Sequence, residues 1–146
     1  EPEEQEQIRM RLADSLRWVV SQRLVPRISG GRHALLEIMG SNLRTQETIR
    51  LGESEGKSFY EIIEASYAFG WRTFDQAALE AFELGQITEE NALLYCSKRG
   101  TVTRGMDNMK KARGEITSTA GSLRMKGLVD PLGSARPAPA ATLKIK

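Results

Sequence analysis

One stretch near the start of the chain decides the fold class: residues 24–39, which read LVPRISGGRHALLEIM. Its two apolar arms flank Ser29-Gly30-Gly31, and paired glycines supply the positive φ angles that a tight turn requires, so the stretch predicts a β-hairpin. Pro26 cannot donate a ladder hydrogen bond, and we therefore expect the first arm to be an edge strand or very short. The second arm is nearly all apolar from Ala34 to Met39, which is typical of a strand buried on both faces.

The sequence contains no further strands that could form a larger sheet with the predicted hairpin. No other convincing strand occurs among the 146 residues, and the first residue is not Met. A strand buried on both faces needs neighbouring strands and covering helices. We therefore expect the chain to be the back part of a larger protein whose front part supplies the rest of the sheet.

Most of the remaining sequence has helical periodicity. Apolar spacings of three and four predict a first helix with the stripe Ile8, Leu12, Leu16, Val19, Val20 and Leu24. Further helices are expected from Leu43 to Leu51, after the capping boxes that begin at Ser58 and Thr73, after Thr88, and more weakly from about 103 to 112. From about Gly114 the chain is rich in Gly, Ser, Ala and Pro, which predicts a flexible tail.

The composition excludes several classes of protein. A hydrophobic share of 40% with 27% charged residues is that of a soluble globular chain, and no apolar run is long enough for a transmembrane helix. A single cysteine and a single histidine exclude a disulfide framework and most zinc sites. We expect Cys96 to be a small buried apolar residue and His33 a surface residue on a strand, so neither is assigned a catalytic or metal-binding role.

A phosphate-binding loop is suggested by residues 52–58, which read GESEGKS. The P-loop pattern needs four residues between its first glycine and the Gly-Lys pair, whereas three occur here. A buried strand should come before such a loop, and the two glutamates would repel phosphate groups. We therefore interpret the segment as a connector in which Ser58 caps the next helix.

The residues before and within the hairpin resemble the C-terminal half of the PilT-type ATPases, the twitching-motility members of the secretion ATPase superfamily. The resemblance is most specific in Gln5–Arg9, Leu12–Arg17, Val20–Arg27, Gly30–Arg32 and Glu37–Met39, and it extends over roughly residues 1–97. It implies a mainly α fold with a β-hairpin: residues 1–40 end a RecA-like α/β core, residues 41–112 form a small helical C-terminal domain, and residues 113–146 form a flexible basic tail.

The same resemblance implies a function for the whole protein. Such a protein is a hexameric motor ATPase that uses ATP and Mg²⁺, acts in the cytoplasm at the inner-membrane face of a type IV pilus machine, contacts its membrane platform proteins and powers pilus retraction. The Walker A and Walker B boxes would lie upstream of Glu1. The resemblance therefore implies no catalytic, cofactor-binding or metal-binding residue in this chain, no cofactor for the chain alone, and no ATPase activity of its own.

One helix departs from the family pattern. PilT proteins carry the motif Ala-Ile-Arg-Asn-Leu-Ile-Arg-Glu, which is tied to retraction, and counting without gaps places residues 44–51, RTQETIRL, at that position. Only Ile49 and Arg50 match, so a PilU-like accessory motor or another divergent paralogue stays open. The candidate residues for a retraction motif or interface are Arg44, Gln46, Glu47, Ile49 and Arg50.

Two other functions remain open from the sequence. The charge is uneven: residues 41–97 carry ten acids and four bases, whereas residues 98–146 carry eleven bases and three acids. Those bases are spread out and have no aromatic residues among them, so we expect no direct nucleic-acid binding, and DNA affinity of residues 98–146 is the weakest alternative. The stronger alternative is a helical adaptor module that binds a protein partner and uses no nucleotide.

Overall fold

The computed structural model describes residues 2–115, and it is mainly helical with one hairpin. A 3-10 turn at Tyr67–Phe69 joins two of the helices. The elements are α1 (Pro2–Ser15), β1 (Trp18–Pro26), β2 (Arg32–Gly40), α2 (Leu43–Leu51), α3 (Phe59–Ala65), α4 (Phe74–Glu83), α5 (Glu89–Tyr95) and α6 (Arg99–Ala112). The tail predicted for residues 113–146 lies, from residue 116 onward, outside the described residues.

The hairpin prediction is confirmed, but its first arm is longer than expected. β1 and β2 are antiparallel and pair from Trp18 with Gly40 to Pro26 with Arg32. The first helix ends at Ser15, so the helical stripe predicted through Leu24 is wrong beyond that point. Trp18 and the β-branched residues that follow it favour an extended strand, and pairing with β2 outweighs the helical spacing.

The two faces of the hairpin have different surroundings. Val25 and Leu35 lie on one face, where both are buried against the helices. On the opposite face Leu24 pairs with Ala34, and both are exposed. Within the part of the chain that the structure describes, only one face of the two-stranded sheet is covered, so burial of the second arm on both faces stays a prediction about a longer protein.

The helices cover that face with a core centred on α4. Small side chains on α4 allow close packing, and the buried cluster consists of Val25, Leu35, Phe74, Ala77, Ala78, Ala81, Ile87, Ala92, Val102 and Met106. A second cluster contains Met39, Ile62, Ile63 and Trp71. β2 thus contributes to both clusters, and this places the hairpin and the helices in one packed body.

Side-chain caps set where several helices begin. The capping boxes predicted at Ser58 and Thr73 are both present, and Thr88 caps α5 as expected. A third capping box, formed by Asn42 and Thr45 at the start of α2, was not predicted, because the expected partner at the third helical position is Glu or Gln. None of the described helices combines the length and the apolar character needed to cross a bilayer.

Candidate functional site

The five residues singled out in the sequence lie on or beside one short helix, α2. Its start is fixed because Asn42 Oδ1 accepts the Thr45 backbone N–H at 2.9 Å and Thr45 Oγ1 accepts the Asn42 N–H at 2.7 Å. Thr45 and Thr48 are buried and form the inner face of the helix. At its end, Gly52 donates its N–H to the Thr48 carbonyl at 2.9 Å with a φ of 90°, a conformation that favours glycine.

Arg50 connects α2 to α1. Its Nη2 lies 2.5 Å from Oδ1 of Asp14, and the two side chains are 44% and 65% exposed. An exposed ion pair of this kind contributes little to stability, because both partners remain well solvated. The interface role expected for Arg50 therefore stays a prediction, and the ion pair gives the side chain a local partner.

Arg44 and Glu47 line a surface groove between α2 and α3 with a volume of about 590 Å³. Lys57 Nζ lies 3.3 Å from Glu47 Oε1 on one wall. The guanidinium of Arg44 makes no hydrogen bond or ion pair with any residue in the range 2–115. The groove therefore offers one unpaired cation beside the pair of Lys57 and Glu47 and the carboxylate of Glu61.

Gln46 and Ile49 do not share that groove. Gln46 lines a different groove, with Nε2 donating to Ser41 Oγ at 3.4 Å, and Ile49 is half-buried. The structure thus distributes the five candidates over three sides of α2 and does not bring them into one site. This distribution follows from a nine-residue helix, whose successive residues point about 100° apart.

Three consecutive backbone N–H groups at the end of the loop at residues 52–58 are already bonded. Lys57 N–H donates to the Ser54 carbonyl at 3.0 Å, Ser58 N–H to Glu61 Oε2 at 3.0 Å, and Phe59 N–H to Glu53 Oε1 at 2.8 Å. A phosphate would have to displace two carboxylates from these donors. The residues of this loop therefore do not fit a nucleotide phosphate, and the prediction that Ser58 is a helix cap is confirmed.

The carboxylate of Glu61 is bonded so that its charged form is favoured. Donation from the Ser58 backbone N–H and hydroxyl lowers the pKa of Glu61 below its ordinary value. Within residues 2–115 no group of three or more His, Cys, Asp or Glu side chains is arranged to hold a metal ion. The described residues thus provide neither a phosphate cradle in this loop nor a carboxylate cluster for Mg²⁺.

A buried carboxylate, Asp75, forms a polar centre that the sequence did not reveal. It accepts hydrogen bonds from the Tyr60 hydroxyl at 2.7 Å and from the backbone N–H groups of Ser97 at 2.5 Å and Lys98 at 2.9 Å. Burial of the Tyr60 hydroxyl, as the first cause, and its hydrogen bond to Asp75, as the second, raise the pKa of Tyr60 far above its ordinary value. Burial, with the nearby Asp75 charge, also raises the pKa of the Cys96 thiol. In the sequence, Asp75 is recognisable only as an acidic residue in the first turn of a predicted helix. Such residues are common because they interact favourably with the positive end of the helix dipole.

Part of the chain is similar in sequence to known pilus ATPases. No protein-family profile matches it. It is 34% identical over 90 residues to the type IV pilus ATPase PilU of Pseudomonas aeruginosa, which covers 61% of this chain and 23% of PilU. It is also 34% identical over 90 residues to the type IV pilus retraction ATPase PilT of the same organism, covering 62% of this chain and 26% of PilT.

A solved structure supports the same comparison. The crystal structure of the pilus retraction motor PilT with bound ADP matches with a TM-score of 0.51 and 29% sequence identity, over 68% of this chain and 26% of that one. The chain spans about a quarter of the length of the curated relatives it matches. The resemblance to part of a PilT-type secretion ATPase, predicted from the hairpin region, is confirmed.

Proposed function

We propose that this chain is the C-terminal part of a PilT-like motor ATPase of a type IV pilus machine. In this proposal residues 1–40 end a RecA-like core, residues 41–112 form the helical C-terminal domain, and residues 113–146 are a basic tail. The similarity to PilU and PilT supports the class of protein. The single observation that carries the proposal is the open edge and open face of the hairpin.

The hydrogen bonds of β2 show which backbone groups of β1 lie on an unpaired edge. Ile38 exchanges two backbone hydrogen bonds with Arg72, of 2.9 and 3.1 Å, on the side away from β1. In an antiparallel ladder, two paired residues either both bond to each other or both point their backbone groups away from each other. Val20 pairs with Ile38, so its N–H and C=O groups point away from β2. The alternation extends this to Trp18, Gln22 and Leu24, whose outward N–H and C=O groups bond to no other element among the described residues.

The same residues of β1 carry an exposed apolar face. Trp18, Val20 and Leu24 are 59%, 60% and 48% exposed. An isolated two-stranded sheet is marginal in water, and a long apolar edge strand is a template for pairing with another strand. A further strand beside β1 would pair with its free backbone groups, and a covering layer would bury its apolar face. The rest of a RecA-like core would supply both the strand and the layer.

The whole protein would then work as a hexameric ring that hydrolyses ATP with Mg²⁺ through Walker boxes upstream of this chain. Its place would be the cytoplasmic, inner-membrane face of the pilus machine, in contact with the platform proteins. The helical domain would pass rigid-body motion between neighbouring subunits. Retraction is the leading role; the poor match of α2 to the retraction motif keeps a PilU-like accessory role as its variant.

Two measurements test this proposal. The isolated chain should show no ATP hydrolysis above background with Mg²⁺ present, and turnover by the purified chain would overturn the assignment. The sequence encoded immediately upstream should contain Gly-x-x-x-x-Gly-Lys-Ser/Thr after an apolar strand. An upstream sequence without that box would also reject the motor.

A helical adaptor is the second candidate, and one observation favours it. Val25 and Leu35 of the hairpin are buried in the same cluster as α4, α5 and α6, so the described residues pack as one body without help from another domain. An adaptor should be monodisperse when purified. A chain whose sheet has been left incomplete should self-associate through β1.

A further inference from the structure

We draw no further inference here: the strongest candidate, the surface groove between α2 and α3 that Arg44 and Lys57 line, belongs to the candidate site already described, and nothing in the structure shows what covers it.

Discussion

The hydroxyl of Tyr60 donates a 2.7 Å hydrogen bond to Oδ2 of Asp75, and this contact ties α3 to α4. The ammonium group of Lys98 lies 3.7 Å from the centre of the Tyr60 ring, over its face. Asp75 in turn accepts the N–H groups that lead into α6. One buried carboxylate thus joins three helices of the described body, and it is fully satisfied.

Replacing this carboxylate should be costly. Asp75→Ala would leave the Tyr60 hydroxyl and the backbone donors of Ser97 and Lys98 without their acceptor, so we expect a loss of about 2–4 kcal/mol in the free energy of unfolding. Urea unfolding followed by circular dichroism measures it. Glu83→Ala, at an exposed acid on the same helix, is the matched control and should stay within about 0.5 kcal/mol. Equal values for the two variants would contradict the role of Asp75.

Alkaline pH should destabilise the protein through Tyr60. The folded state raises the pKa of this hydroxyl above its ordinary value of 10.0, so above about pH 10 the unfolded chain loses the proton while the folded chain keeps it. The contribution of the protonated Tyr60 hydroxyl to the free energy of unfolding is therefore fully present below pH 10, and it falls as the pH rises beyond 10. Tyr60→Phe should be less stable at neutral pH by about 1 kcal/mol but show a shallower alkaline decline.

The control for that experiment is a tyrosine on the surface. Tyr67 is exposed and makes no side-chain contact with Asp75, so Tyr67→Phe should keep the steep alkaline decline of the parent chain. Thermal unfolding at pH 8, 10 and 11 compares the three proteins. A Tyr60→Phe slope identical to that of the parent would show that this hydrogen bond does not control the alkaline transition.

The hairpin could be predicted from sequence because its signals are local. Gly30 and Gly31 adopt φ angles of 92° and 75°, as the paired glycines required. The end of α1 could not be predicted in the same way, because Val19 and Val20 continue a helical spacing and only pairing with β2 makes them extended. Local pattern and long-range pairing conflicted there, and the ladder hydrogen bonds outweighed the pattern.

The close contact between Gly40 and Trp71 predicts a large effect from one methyl group. In Gly40→Ala the new Cβ would overlap the indole ring, which is held by the core and cannot retreat freely, so we expect a loss of about 1–3 kcal/mol. Gly100→Ala is the matched control: nothing lies within 4 Å of its Cβ position in α6, and the change should be neutral or stabilising by up to about 1 kcal/mol. The urea midpoints of the two variants, compared with the midpoint of the parent chain, measure these changes in stability.

The candidate sites were harder to predict than the fold, for a physical reason. Arg44, Gln46 and Arg50 follow each other closely in sequence, yet each faces a different neighbour around α2. Trp18 and Phe69 line one surface groove, although they are 51 positions apart. Residues so distant meet only through tertiary packing, which no local spacing encodes.

The open face of β1 predicts self-association of the purified chain. Val20→Lys would place a charge on the exposed apolar face and on the free edge, where natural proteins use lysine to prevent strand pairing. Sedimentation velocity should show larger species for the parent chain and a monomer for the variant. Leu94→Lys, on α5, is the control and should associate like the parent. A parent chain that is monomeric at high concentration would favour the adaptor.

The ion pair between Arg50 and Asp14 separates a local role from an interface role for α2. Both side chains are well exposed, so a double-mutant cycle with alanine should give a coupling below about 1 kcal/mol, smaller still in high salt. If the motor proposal holds and Arg50 serves a subunit or partner interface, Arg50→Ala in the longer protein should impair pilus retraction at unchanged protein levels, whereas Asp14→Ala should not. Equal impairment by both variants would assign the effect to the ion pair, because losing either partner then has the same consequence, and would remove Arg50 from the interface candidates.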